Sequence, residues 1–151
     1  LIFGVVGGLG AGLLIVFFNY LLSPLIPDAI KSLQDNLDLS VITWFLYGGI
    51  TEEILLRYGL MTLLVWVLIR FIKSDLSYWI AILTSSLLFG IGHLPAVYAA
   101  VDSVDVFLLA YIIIGNTLAG IVFGWLYWKK GLESAMIAHI FAHVVMLILL
   151  L

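Results

Sequence analysis

Long apolar runs separated by short polar connectors set the plan of this chain. Residues 1–22 are apolar almost throughout, with Asn19 the one strongly polar side chain. About 20 such residues in a helix cross the ~30 Å hydrocarbon core of a bilayer. Gly4, Gly8 and Gly12 recur every four residues, on a face where a neighbouring backbone can come close. Ser23-Pro24 and Pro27-Asp28 stop this helix. Residues 28–38 are the longest polar stretch, and their apolar positions at 30, 33 and 37 fit a short helix lying in the interface. Apolar sequence resumes over 40–73, longer than one span needs, so that helix must overhang, tilt or kink, with Gly48-Gly49 the expected kink. Further spans are predicted at 76–101, which passes Pro95, at 104–128 and at 132–151. Gly120 and Gly124 offer a second close-packing face. The pattern predicts an all-α, polytopic membrane helix bundle of about five spans, forming one domain over 1–151 with no internal repeat.

Composition sharpens this reading by exclusion. Of the 151 residues, 65% are hydrophobic and 10% charged, against ~45–50% and ~25% in ordinary soluble domains. A soluble fold of this size leaves about a third of its surface exposed, too much for such a chain. A soluble enzyme, a nucleic-acid binder and a disordered tail are therefore excluded. The net charge of −3 comes with no basic run for nucleic acid or anionic lipid. The absence of Cys removes disulfides, thiolate metal sites and Cys nucleophiles. The chain opens on Leu1 directly inside a span, so it reads as a piece trimmed from a longer protein, with no signal-peptide pattern ahead of it.

The basic residues orient the bundle. Arg70 and Lys73 flank the second connection, and Lys129 and Lys130 fill the fourth. The other two connections hold only Lys31 among three aspartates, and then Asp102 and Asp105 with no base. The positive-inside rule places the amino terminus and the two basic connections in the cytoplasm.

Ionisable groups at bilayer depth cost at least ~2.5–3.5 kcal/mol each, so those present need a reason. Glu52, Glu53, Arg57, His93, His139 and His143 lie in or near spans, and they include every histidine of the chain. Glu53 and Arg57 are spaced i, i+4 and can pair on one helix face, which is as readily structural as functional. Glu52 points ~100° away. It has no local partner, which makes it the candidate general base. His93 stands four residues after Phe89, near a helix end, where a lone histidine is more often a hydrogen-bonded interfacial residue. His139 and His143, again i, i+4, can bind a metal or present two donors to one substrate oxygen. Asn116 is a further polar candidate, more simply explained as an interhelical hydrogen bond. With each helix centred in the bilayer, Glu52 and His93 both fall ~7 Å from the midplane on the outer side, and the last two histidines bracket it.

Glu52-Glu53-Ile54-Leu55-Leu56-Arg57, Phe89-x-x-x-His93, Asn116-x-x-x-Gly120 and His139-x-x-x-His143 follow in order on successive predicted spans. Together they resemble the CPBP family of intramembrane proteases, the CAAX-protease and bacteriocin-processing group that includes the Rce1-type prenyl-protein endopeptidases. The likeness covers 40–145. It implies that Glu52 and His93 activate the attacking water, that His139 and His143 steady the oxyanion, and that Glu53 and Arg57 support the first glutamate. Asn116 would join them as a supporting residue. Family members usually carry Asn or Asp where His143 stands. An imidazole still donates to an oxyanion, but Glu52, His93, His139 and His143 would also make a zinc set. The metal-free reading, without cofactor, is favoured over zinc.

The expected partner is a peptide or protein substrate at the lipid bilayer, and the expected location a bacterial plasma membrane. Two rivals stand beside the protease: a non-catalytic bacteriocin-immunity or binding protein on the same scaffold, and a small proton-relaying transporter. The transporter is disfavoured by the missing repeat.

Overall fold

The computed structural model describes residues 1–25, Asp28 and 40–150. Every element among the described residues is helical, as a lipid-embedded chain requires, because a helix satisfies its backbone polar groups within itself. Helix α1 is Ile2–Leu22, extended by a 3-10 turn over Ser23–Leu25. Helix α2 covers residues 41–68 in four consecutive pieces, Val41–Thr43, Trp44–Glu52, Ile54–Met61 and Thr62–Leu68. Then come α3 (Leu76–Gly92), α4 (Leu94–Ala100), α5 (Val106–Lys130) and α6 (Leu132–Leu150). Among the described residues, four stretches are long and apolar enough to cross a membrane: Ile2–Leu25, Leu76–Ala100, Val106–Lys130 and Leu132–Leu150. With α2 as the fifth helix, the protein is a polytopic helical bundle and an integral membrane protein.

Two spans depart from expectation in ways that matter for the site. The predicted 40–73 helix closes at Leu68, where the chain tightens to i→i+3 bonds from Arg70 N–H to the Val67 carbonyl and from Phe71 N–H to the Leu68 carbonyl. Its middle pieces, Trp44–Glu52 and Ile54–Met61, are π-helical, with the wider i→i+5 turn often found at functional positions. Gly48 and Gly49 end no helix. A Cβ at Gly48 would sit 2.7 Å from His143 Nε2, and one at Gly49 would run into Ile140 Cγ1. The pair therefore serves the approach of α2 to α6. The predicted 76–101 span is two helices joined at His93. Pro95 falls in the first turn of α4, where a missing N–H costs little. The interfacial helix expected over 28–38 lies outside the described residues, Asp28 apart.

Close backbone approach holds the bundle together. Lipid tails are as apolar as the helices, so association rests on van der Waals fit between small residues. Added Cβ atoms at Gly4 and Gly12 would lie 2.8 Å from Ile137 Cβ and 2.6 Å from Val145 Cβ, and one at Gly8 would strike the Ala138 carbonyl. This is the α1–α6 seam. Gly120 and Gly124 perform the same service for α5 on α3, at 2.9 Å from Ser86 Cβ and 3.2 Å from Ile82 Cγ2. Between the seams lies a core of Ala11, Ala119, Ala135, Ala138 and Ala142 with Phe123 and Leu126. Large apolar side chains such as Phe3, Leu13, Phe17 and Ile148 cover the outside.

The helix ends agree with the expected parity. Asp105 caps α5 by accepting from Leu108 N–H at 2.7 Å, and Gly131, at φ 91°, turns the chain into α6. Arg70 lies 3.7 Å over the Trp66 ring, Lys129 3.3 Å over Trp128 and Lys130 3.9 Å over Phe3. The Lys130–Phe3 contact puts the start of α1 at the same end of the bundle as the finish of α5, as the alternation of basic connections requires.

The α1–α6 seam predicts a position-specific response. Gly8→Leu must push α1 off the Ala138 backbone and should destabilise the bundle by ~1–3 kcal/mol or more. Gly10, with open space around its missing Cβ, should accept leucine with little change. Thermal unfolding of the two variants in the same detergent decides the matter. Equal losses would mean that α1 does not pack as described.

Candidate active site

The polar residues of α2 sit where the helix faces α6. Adjacent helical positions diverge, so Glu53 is fully buried while the Glu52 side chain keeps 19% exposure. Glu53 Oε2 lies 3.2 Å from Arg57 Nε, one turn on, and both side chains have no exposure at all. The contact is an ion pair without hydrogen-bond alignment, and Arg57 Nη1 and Nη2 are buried with no hydrogen-bond partner among the described residues. The guanidinium lies 5.4 Å from the centre of the Phe89 ring, close enough for a cation–π attraction.

The other Glu53 oxygen fixes a histidine. His139 Nδ1 is 2.9 Å from Glu53 Oε1. An ionised carboxylate only accepts, so Nδ1 carries the proton, and in the neutral ring Nε2 is a bare lone pair. Nε2 in turn faces Glu52 Oε2 at 3.9 Å. Arg57, Glu53, His139 and Glu52 thus form one linear run from a sealed ion pair to a half-buried carboxylate. The family likeness implied that Glu53 and Arg57 support Glu52. In the structure Glu53 supports His139, because the Nδ1 edge of that ring is the donor within its reach.

Aromatic rings hold the imidazoles in place. His139 stacks on Phe123 at 4.6 Å and 21° and on His143 at 4.8 Å and 22°, with Phe89 edge-on at 5.7 Å. His143 meets Trp44 at 5.7 Å, and its Nδ1 is buried with no partner among the described residues. Gly48 leaves room for both rings, since a Cβ there would come within 2.7 Å of His143 Nε2 and 3.5 Å of His139 Nε2. His93, at the α3–α4 joint, donates from Nδ1 to the Phe89 carbonyl at 2.9 Å, which leaves its Nε2 as an acceptor when neutral. Asn116 Nδ2 donates to the Ile112 carbonyl of its own helix at 2.9 Å, and among the described residues it makes no interhelical bond.

A cavity of about 160 Å³ joins these groups. His93, Asn116, His139 and His143 all line it, with Phe89, Phe123 and further apolar side chains from α1, α5 and α6. Glu52 is not in its wall and reaches it through His139. Among the described residues, no three His, Asp or Glu side chains converge closely enough for a metal ion. Sequence reasoning passed over Phe123 and Trp44, and took Gly48 as a kink rather than as part of the site. Phe123 stands seven residues after Asn116, and Gly48 four before Glu52, so helical periodicity from the polar residues would have found both.

All of these motifs fall within the stretch matched by one family model. The type II CAAX prenyl endopeptidase Rce1-like model matches residues 35–145. The chain belongs to this Rce1-like family. The match supports the CPBP reading and, in general terms, intramembrane endopeptidase activity. No curated protein and no solved structure matches the chain.

The sealed Glu53–Arg57 pair makes Arg57→Ala a severe change in this Rce1-like chain. It leaves a buried carboxylate without its cation, at a cost on the order of 3–5 kcal/mol. Folded yield and melting temperature in detergent should therefore fall together. Normal yield and stability with loss of function alone would show that Arg57 acts directly on substrate.

Proposed function

We propose that this protein is an intramembrane endopeptidase that hydrolyses a peptide bond in a membrane-associated or lipidated peptide or protein, using water activated by Glu52 and no metal. The observation that carries this reading is the run Arg57–Glu53–His139–Glu52 at the edge of a histidine-lined cavity. A carboxylate and a bare ring nitrogen 3.9 Å apart are both acceptors. The gap between them calls for a proton or a bridging water.

Glu52 takes a proton from water as the water oxygen bonds to the peptide carbonyl carbon, and the carbonyl π electrons move onto oxygen. His93, with its Nδ1–H tied to the Phe89 carbonyl, accepts from the water's remaining O–H and orients it. His139, its Nδ1–H held by Glu53, takes up the proton that the gap between Nε2 and Glu52 calls for and donates that Nε2–H to the new oxyanion. The Glu53 contact is suited to this task because a carboxylate bonded to Nδ1–H fixes the ring's orientation. His143 supplies a second ring N–H. The carbon–nitrogen bond then breaks, and Glu52 returns its proton to the leaving amine. Each oxyanion donor in such a water-poor site is worth about 10²–10³ in rate.

The donor set favours this route over zinc. The lone pairs of two imidazoles stacked at 22° lie in nearly parallel planes and do not converge on one ion.

Turnover of membrane-reconstituted protein on a panel of lipidated and leader peptides tests the proposal. Glu52→Gln keeps the shape and removes the base, so turnover should drop by roughly 10²–10⁴. His143→Asn keeps one amide donor and should retain most activity, and chelator should leave the wild type unchanged. Loss of activity both in His143→Asn and with chelator would make this a zinc protease. Wild-type protein inactive on the whole panel would favour a binding or immunity protein.

A further inference from the structure

Four basic side chains that the proposed chemistry leaves unused are exposed at one end of the bundle. Arg70 and Lys73 follow α2, and Lys129 and Lys130 close α5. Asp75 and Glu133 are the acids beside them. The connections after α1 and α4 reverse the balance, with Lys31 against Asp28, Asp35, Asp38, Asp102 and Asp105. By the positive-inside rule the basic end is the cytoplasmic one.

Aromatic rings, not carboxylates, hold these cations. Lys129 lies 3.3 Å over Trp128, Arg70 3.7 Å over Trp66 and Lys130 3.9 Å over Phe3. Among the described residues, no carboxylate comes within ion-pair distance of any of the four bases. Trp128 is itself fixed by the start of α3, with Tyr78 stacked on it at 4.7 Å and 11° and Trp79 edge-on at 6.0 Å. It packs against the same core as Leu68, two residues before Arg70. The ends of α2, α3 and α5 thus share one aromatic seat. A ring under a cation holds it in place without neutralising it, and the outward N–H groups stay free to donate to an anion.

We infer that this end of the bundle is a binding site for the headgroup phosphate of an anionic phospholipid, taken by Arg70, Lys73 and Lys129 around the Trp128 seat. The acyl chains then run along the apolar outer face of the bundle. Trp and Tyr rings mark headgroup depth, and basic pockets between helix ends on the cytoplasmic side suit anionic headgroups. That placement favours a lipid over an acidic peptide. The inference does not depend on the endopeptidase reading.

The test uses the protein in phosphatidylcholine vesicles that carry a small fraction of brominated phosphatidylglycerol or, separately, brominated phosphatidylcholine. Bromine quenches tryptophan, and Trp66, Trp79, Trp125 and Trp128 all lie towards the basic end. At equal fractions, phosphatidylglycerol should win contact at least about fivefold, the effect of one base at headgroup level. Arg70→Gln with Lys129→Gln should remove most of that preference. Arg70→Lys with Lys129→Arg keeps both charges and should retain it. If the double glutamine variant fails to fold, each single substitution should lower the preference. The preference should survive about 1 M salt, where the screening length falls to ~3 Å. Equal quenching by the two lipids, a preference untouched by the glutamine substitutions, or one lost in high salt overturns the site. Displacement of the lipid by inorganic phosphate, or by a soluble acidic peptide, also overturns it and reassigns the patch to a free anion or a protein partner.

Discussion

A fully buried arginine–glutamate pair is the constraint around which this bundle is arranged. Neither Glu53 nor Arg57 has any exposure, and each alone would be a charge out of water. Their mutual attraction offsets much of that cost, but a carboxylate has a second oxygen with lone pairs of its own. His139 supplies the donor. Satisfying a buried charge on α2 thereby determines which edge of a histidine on α6 is occupied and which is left to face Glu52. The same contacts that make the charge tolerable make the imidazole chemically oriented. Structure and candidate chemistry are not separable at these residues, which is why Arg57 belongs to the site although no role in the proposed chemistry requires it to touch substrate.

Such a run forms only if α2 and α6 lie close, and that closeness is the work of residues with no polar atoms in their side chains. Gly48 and Gly49 remove the two Cβ atoms that would hold α2 away from His143 and Ile140. The π-helical turns around them widen the helix over the stretch that carries Glu52, Glu53 and Arg57. On the far side of α6, the seam of Gly4, Gly8 and Gly12 brings α1 into contact, and α1 contributes Ile15 and Phe18 to the cavity. Small residues thus act on both faces of one helix: one face brings in the charges, the other closes the pocket beside them.

Much of this was readable from the chain because membrane solvent imposes harsh, simple rules. Long apolar runs had to be helices, and glycines at four-residue spacing had to be contact faces. Ionisable groups inside such runs had to find partners, and Glu53–Arg57 did so at the expected i, i+4 spacing. What escaped was the identity of cross-helix partners. Nothing local to Glu53 indicates that His139, 86 residues later, completes it, or that Asn116 would donate back to Ile112 within its own helix. The break at His93 was also hidden, because Pro95 reads equally well as a helix stop or as the first turn of a new helix. The π-helical character of 44–61 has no periodic signature in so apolar a segment. Gly48-Gly49 also clear space for a neighbour, a use that glycine spacing alone does not reveal.

The cost of the site also bears on how it forms. Counting α3 and α4 as one stretch, five stretches build the bundle; α2 alone places three charged side chains inside an apolar run, and on an insertion scale each is unfavourable by itself. The remaining four are long and apolar enough to stand as spans in their own right, and α1, α5 and α6 share a core that includes no residue of α2. Helices that are independently stable in lipid can associate first, and α2 gains most by arriving where His139 already waits. Its stability then comes from the contacts that assemble the site: the Glu53–His139 bond, the Arg57–Phe89 contact and the packing of Gly48 on two imidazoles. The polar helix is thus both the least autonomous part of the fold and the part whose docking creates the chemistry.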